Sequence, residues 1–166
     1  VTREETRPGA ASNVGKNCEA MGAVVDTLTI EVAKKIRVVA RNQQVVRVDF
    51  DHKASLDQVN ALWEAFQERV KLSDAVILSD YGGGSLREIQ GMITLARRLR
   101  KPIFVDPKGH DYSRYAGADL LKPNTNELRE VMGGWGSVEQ MNAKAQILRG
   151  QINVSALLLT QGADGM

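Results

Sequence analysis

What most constrains this chain is a regular exchange, from Ser55 onward, of short apolar runs with amphipathic helical stretches. Ala75-Val76-Ile77-Leu78-Ser79, Ile103-Phe104-Val105, Asp119-Leu120-Leu121 and Ala156-Leu157-Leu158-Leu159-Thr160 are the strand candidates. The first is an unbroken apolar run, which suits a strand covered on both faces. Between the runs lie helical patterns. Ser55-Leu56-Asp57-Gln58 has the form of a capping box, with Val59, Trp63, Phe66 and Val70 following on one stripe. Ser85-Leu86-Arg87-Glu88 has the same form ahead of Ile89, Met92, Ile93, Ala96 and Leu99, and Lys101-Pro102 stops that helix. A helix over roughly 127–132 ends at Gly133-Gly134. Ser137-Val138-Glu139-Gln140 opens another, with Met141, Ala145 and Leu148 inward. Strands alternating with helices make parallel strands joined by helical crossovers, so the fold class is α/β, a mostly parallel sheet flanked by helices.

The first fifty residues differ. Ile36-Arg37-Val38-Val39-Ala40-Arg41 and Val45-Val46-Arg47-Val48-Asp49-Phe50 flank the polar Asn42-Gln43-Gln44, and their β-branched content reads as a hairpin lying beside the main sheet. Alternation puts Arg37, Val39 and Arg41 on one face, with Ile36, Val38 and Ala40 on the other. The opening strand usual in an α/β sheet is absent, because the chain begins in polar Thr2-Arg3-Glu4-Glu5. At 166 residues the chain is one domain, with lid-like strands over about 28–50 and an α/β part over about 55–166. Lysine and arginine number 22 against 20 acidic residues, too even a balance to argue for a nucleic-acid or membrane surface. The single cysteine, Cys18, excludes an internal disulfide, and two histidines make a Cys/His zinc site a poor fit. No apolar run approaches the roughly 20 residues of a membrane span. A soluble protein of a reducing, cytoplasmic compartment is the expectation.

Ligands of open parallel sheets bind beyond the carboxyl ends of the strands. Four segments leave such ends: Ser79-Asp80-Tyr81-Gly82-Gly83-Gly84, Asp106-Pro107-Lys108-Gly109, Lys122-Pro123-Asn124-Thr125-Asn126-Glu127 and Thr160-Gln161-Gly162-Ala163-Asp164-Gly165. The glycine triplet ahead of a helix lets backbone amides approach an anion, or simply shapes a tight turn. Asn124 and Glu127 are spaced as a capping box; the same two groups can orient waters around Mg²⁺ beside phosphates. Lys108 offers a cation for phosphate, or is merely solvated. Gly162-Ala163-Asp164 and Gly117-Ala118-Asp119 each lack the second glycine of an anion hole, and His52 and His110 read as surface residues.

Taken in order, Arg7-Pro8-Gly9-Ala10-Ala11-Ser12-Asn13, Ser79-Asp80-Tyr81-x-x-Gly84, Val105-Asp106-Pro107-Lys108-Gly109, Lys122-Pro123-Asn124-x-x-Glu127-Leu128 and Thr160-x-Gly162-x-x-Gly165 resemble the motifs of ribokinase-like (PfkB) carbohydrate kinases. Arg41-Asn42-Gln43-Gln44, Arg47-x-Asp49-Phe50 and Arg114-Tyr115-x-Gly117-Ala118 narrow the likeness to the branch acting on heptose 7-phosphate. That resemblance implies ATP and Mg²⁺ as cofactors and phosphorylation of the anomeric hydroxyl of D-glycero-β-D-manno-heptose 7-phosphate. The product would feed ADP-heptose and lipopolysaccharide-core precursor formation.

By the same resemblance, Gly9, Asn13 and Asp80 would bind the sugar, with Lys35, Arg37 and Arg41 on a small β lid meeting its phosphate. Lys108, Asn124, Glu127, Thr160 and Gly162 would bind ATP, and Asn124 and Glu127 would reach Mg²⁺ through water. Related lids pair in homodimers. Departures accompany the match. Gly83 stands where the family usually has lysine and Ala10 where it has glycine. Some tens of residues expected between Gly22-Ala23 and Thr27 are absent, as is the family's N-terminal strand. The Asp-x-x-Gly-Ala-Gly-Asp segment that supplies the catalytic base is not among these residues either, so the chain reads as part of a kinase about twice as long, inactive by itself. The open alternatives are the same fold acting on another sugar, sugar phosphate or nucleoside, and a non-catalytic nucleotide-binding module.

Overall fold

The computed structural model describes residues 9–30, 33–40 and 43–166. Helix α1 (Ala10–Ala20) comes first, and strands β1 (Ala33–Ala40) and β2 (Gln43–Asp51) pair antiparallel as a separate two-stranded sheet. Then follow α2 (Leu56–Arg69), β3 (Val76–Ser79), α3 (Ile89–Arg98), β4 (Ile103–Asp106), β5 (Leu120–Leu121), α4 (Thr125–Met132), α5 (Val138–Gln151) and β6 (Ala156–Leu157). The last four strands form one parallel sheet in the order β3-β4-β5-β6.

Local chemistry explains most boundaries. The Ser55 hydroxyl accepts from the Gln58 amide at 3.2 Å and the Gln58 side chain accepts from the Ser55 amide at 2.9 Å, the reciprocal capping expected. Ser137 likewise caps α5. Gly133, at φ 72°, ends α4. Helix α3 instead turns out through Arg100 at φ 55°, a left-handed conformation that costs a side chain about 1 kcal/mol or more. Arg100→Gly is therefore expected to raise stability by about 0.5–1 kcal/mol, read as a higher urea midpoint with unchanged slope. A lower midpoint would show that the arginine side chain outweighs its backbone strain.

The core lies on one face of the parallel sheet. Strands that add in a single direction through right-handed crossovers place every connecting helix on the same side. Leu78, Val105 and Leu121 point there, beneath Ile89, Met92, Ile93, Ala96, Leu128, Met141 and Leu148. On the other side Ile77, Phe104, Leu120 and Ala156 stand in register across all four strands. Ile77 is 48% and Phe104 36% exposed. Helices flank the sheet as expected, and among the described residues these two side chains are left partly uncovered.

Three expectations change. Ser85 caps nothing: residues 85–88 are turns, and α3 starts at Ile89 behind Glu88, which makes no side-chain cap. The Leu86 carbonyl there accepts from both Ile89 N–H and the Arg114 guanidinium, which holds the segment out of the helix. The hairpin forms, but as its own sheet, and a bulge at Val45 shifts the register between Val38 and Val39. Finally, α1 was not anticipated; only the spacing of Val14 and Cys18 hints at it.

Candidate functional site

Parallel strands in sequential order bring all four carboxyl ends to one edge, and the four polar segments meet there. The Asp80 N–H donates to the Asp106 carbonyl at 2.9 Å, joining the exits of β3 and β4. Lys122 N–H reaches the Val105 carbonyl at 2.9 Å, joining β4 to β5. Asn124 and Thr160 form an isolated parallel bridge, with Thr160 N–H on the Pro123 carbonyl at 3.0 Å and Thr125 N–H on the Thr160 carbonyl at 3.1 Å.

Asn124 and Glu127 make the reciprocal cap of α4. The Asn124 side-chain oxygen accepts from the Glu127 amide, and a Glu127 carboxylate oxygen accepts from the Asn124 amide, both at 2.9 Å. The other Glu127 oxygen lies 3.3 Å from the Lys108 ammonium. Lys122 pairs with Asp106 at 2.9 Å, so cations and carboxylates alternate along the edge. Gly162 opens the turn after Thr160 at φ 64°, a conformation open to glycine.

Asp80 is placed differently from an open ligand group. Its side chain is 3% exposed, and both carboxylate oxygens are engaged by the chain itself. One accepts from Gly82 N–H at 2.9 Å; the other accepts from the Tyr115 hydroxyl at 2.9 Å and lies 3.5 Å from Arg114. The glycine triplet is separated from α3 by the four turn residues 85–88, so its amides do not lie at a helix N-terminus as expected. Gly82 N–H is taken by Asp80, and the Gly83 carbonyl accepts from Ala54. Tyr112 and Tyr115 lie beneath the edge with rings edge-to-face at 5.5 Å. Burial pushes both phenols above their usual pKa of 10, so they stay protonated. Tyr112 finds no hydrogen-bond partner for its hydroxyl among the described residues. Sequence reasoning quoted Tyr115 in a motif without assigning it a role.

Gly9 caps α1 and its carbonyl accepts from Asn13 N–H at 2.9 Å. Asn13 is exposed in the first turn of that helix, which packs on β3. Lys35 and Arg37 lie on β1, while Arg41 falls outside the described residues. His110 is 79% exposed. A surface depression of about 400 Å³ lies at the opposite, amino end of the strands beside Ile93, Arg97, Gly117 and Asn153. The candidate site is an open edge rather than a closed cleft.

Among the described residues no cluster of three or more His, Cys, Asp or Glu side chains forms a metal cage. A water-mediated cation suits the site better. Glu127 has both oxygens already engaged and its side chain 12% exposed, and a hard ion that keeps several waters needs only a contact through one of them.

A carboxyl edge of a parallel α/β sheet that gathers a lysine, an Asn-x-x-Glu cap and a Thr-x-Gly turn is where enzymes of this architecture bind their ligands. The sequence model of the pfkB family carbohydrate kinases matches residues 24–166, and the chain belongs to that family. It is 37% identical over 196 aligned positions to the bifunctional protein HldE of a Marinomonas species, covering 100% of this chain and 41% of that relative. The chain therefore spans about two-fifths of that relative's length. The aligned stretch also exceeds this chain by some thirty positions, comparable in size to the residues expected between Gly22-Ala23 and Thr27.

Among solved structures, phosphofructokinase-2 of Escherichia coli in complex with fructose-6-phosphate is similar at TM-score 0.56 and 21% identity, covering 78% of this chain and 45% of that one. Arabidopsis thaliana ribokinase complexed with ribose and ATP is similar at TM-score 0.50 and 17% identity, covering 74% of this chain and 40% of that one. Both likenesses show the ribokinase-like fold. No helix among the described residues is long and apolar enough to cross a membrane.

Proposed function

We propose that this chain supplies the nucleotide-binding part of an ATP-dependent sugar kinase acting on the anomeric hydroxyl of D-glycero-β-D-manno-heptose 7-phosphate. The observation that carries the reading is the meeting of Lys108, Asn124, Glu127 and Thr160 on one sheet edge in a member of a carbohydrate kinase family. Phosphoryl transfer asks little covalent chemistry of a protein; positioning and charge stabilisation dominate. In this reading Lys108 faces the phosphates, and Glu127 and Asn124 orient waters of a bound Mg²⁺, whose charge would offset that of the phosphates. Thr160 and Gly162 line the nucleotide. Gly9 and Asn13 face the sugar. Lys35, Arg37 and Arg41 would meet its phosphate from the lid, where an arginine's planar fork suits phosphate oxygens.

The choice of heptose rests on the motifs of this sequence and on its likeness to HldE. It is tested by measuring ADP release by the full-length protein with ATP and a panel of sugars. The heptose 7-phosphate is expected to give the highest kcat/KM, at least tenfold above fructose 6-phosphate. Equal turnover of the two would replace the heptose reading with a broader sugar-phosphate kinase.

A homodimer through the lid belongs to the same reading. Ile36, Val38, Val39, Val45, Val46, Val48 and Phe50 are all at least 40% exposed on the β1–β2 ribbon. A two-stranded ribbon is too thin to cover its own apolar side chains and is marginal without a partner.

A further inference from the structure

The fully buried Tyr115 hydroxyl touches more of the site's backbone than any other side-chain group described above. It accepts from Lys108 N–H at 3.0 Å, lies 2.8 Å from the Lys108 carbonyl and donates to Asp80 at 2.9 Å. An ionised carboxylate is the stronger acceptor, so the phenol proton favours Asp80 while the oxygen lone pairs receive Lys108 N–H. The Lys108 N–H is thus anchored on that oxygen, while the Lys108 carbonyl competes with Asp80 for its one proton. Asp80 carries the connection onward to Gly82 N–H, and Arg114 ties the same carboxylate to the Leu86 carbonyl through a 2.7 Å bond. The Arg114 guanidinium lies 5.6 Å from the Tyr115 ring centroid, and Tyr112 meets that ring edge-on. The ring itself has little freedom to move.

We propose that Tyr115 is a positioning residue for nucleotide phosphates: it locks the Lys108 peptide against the β3 loop and so sets where the Lys108 ammonium stands relative to Glu127. The lysine stem is held close to that loop, since a Cβ built on Gly82 would lie 3.8 Å from Lys108 Cγ. A long flexible side chain anchored at its root samples fewer positions, and less entropy is lost when it meets an anion. Because burial keeps the phenol protonated, the clamp persists across the pH range of any kinase assay. The inference rests on the kinase reading, in which Lys108 faces phosphate.

The test is a double-mutant cycle on ATP binding by the full-length protein with Mg²⁺, measured calorimetrically. Tyr115→Phe keeps the ring and removes the hydroxyl. It is expected to weaken ATP binding about tenfold when Lys108 is present, and less than twofold in a Lys108→Met background. Circular dichroism should show the fold retained. If Tyr115→Phe does not fold, Asp80→Asn, which weakens the same anchor, replaces it in the cycle with the same expectation. An equal loss in both backgrounds, or no loss in either, overturns the positioning role while leaving the kinase reading intact. A full-length wild-type protein that binds no ATP, or a Lys108→Met variant that binds it as tightly as wild type, overturns both.

Discussion

Glu127→Gln is expected to lower turnover about a hundredfold or more, in the shortest form of the protein that is active, while costing the fold less than about 1 kcal/mol. The asymmetry follows from geometry. A glutamine oxygen can still accept from the Asn124 amide, the 2.9 Å bond that Glu127 makes now, so the start of α4 keeps its cap. What disappears is the negative charge, and with it the ion pair to Lys108 at 3.3 Å and the carboxylate that would order waters around a divalent cation. The measurements are kcat with saturating Mg²⁺-ATP and a urea midpoint on the same preparation. An unchanged rate would leave Glu127 as a helix cap alone; a collapse of the midpoint would make any loss of rate uninformative about charge.

Asp80→Ala is expected to cost about 3 kcal/mol of stability, enough for a marginally stable domain to melt many degrees lower. The resemblance made Asp80 a sugar ligand, whereas its carboxylate is buried and engaged on both oxygens. Removing it strands Gly82 N–H, takes the stronger acceptor from the Tyr115 hydroxyl and leaves Arg114 without its nearest anion. Asp80→Asn keeps the shape and one acceptor, and should cost roughly half as much. Thermal melts of the three proteins decide the matter. If Asp80→Ala melts within a degree or two of wild type, the network carries little energy and the sugar-ligand role becomes the better account.

Those two residues also show what a sequence discloses. The caps at Ser55 and Asn124 were legible because a capping box is a local device: spacing alone sets the contact. Ser85-Leu86-Arg87-Glu88 has identical spacing and fails, since the Leu86 carbonyl is drawn to Arg114, 28 positions along the chain. Tyr115 escaped for the same reason. Its partners, Lys108 and Asp80, are seven and 35 positions away, and no periodicity encodes them. The parallel pairing of the strands and the shared edge followed from alternation of elements. Which sheet face is covered did not, because Ile77 and Phe104 have the composition of core residues whether or not anything lies over them.

The bridge between Asn124 and Thr160 has a mechanical consequence. Among the described residues, the backbone bonds that moor the α4 cap beyond the two residues of β6 are made by the amides of Leu158, Thr160 and Thr125. Fraying of that short strand would be transmitted at once to the carboxamide and carboxylate beside it. Amide exchange at Thr125 and Thr160 should therefore slow whenever the edge is occupied, turning a short seam into a gauge of what the protein is holding.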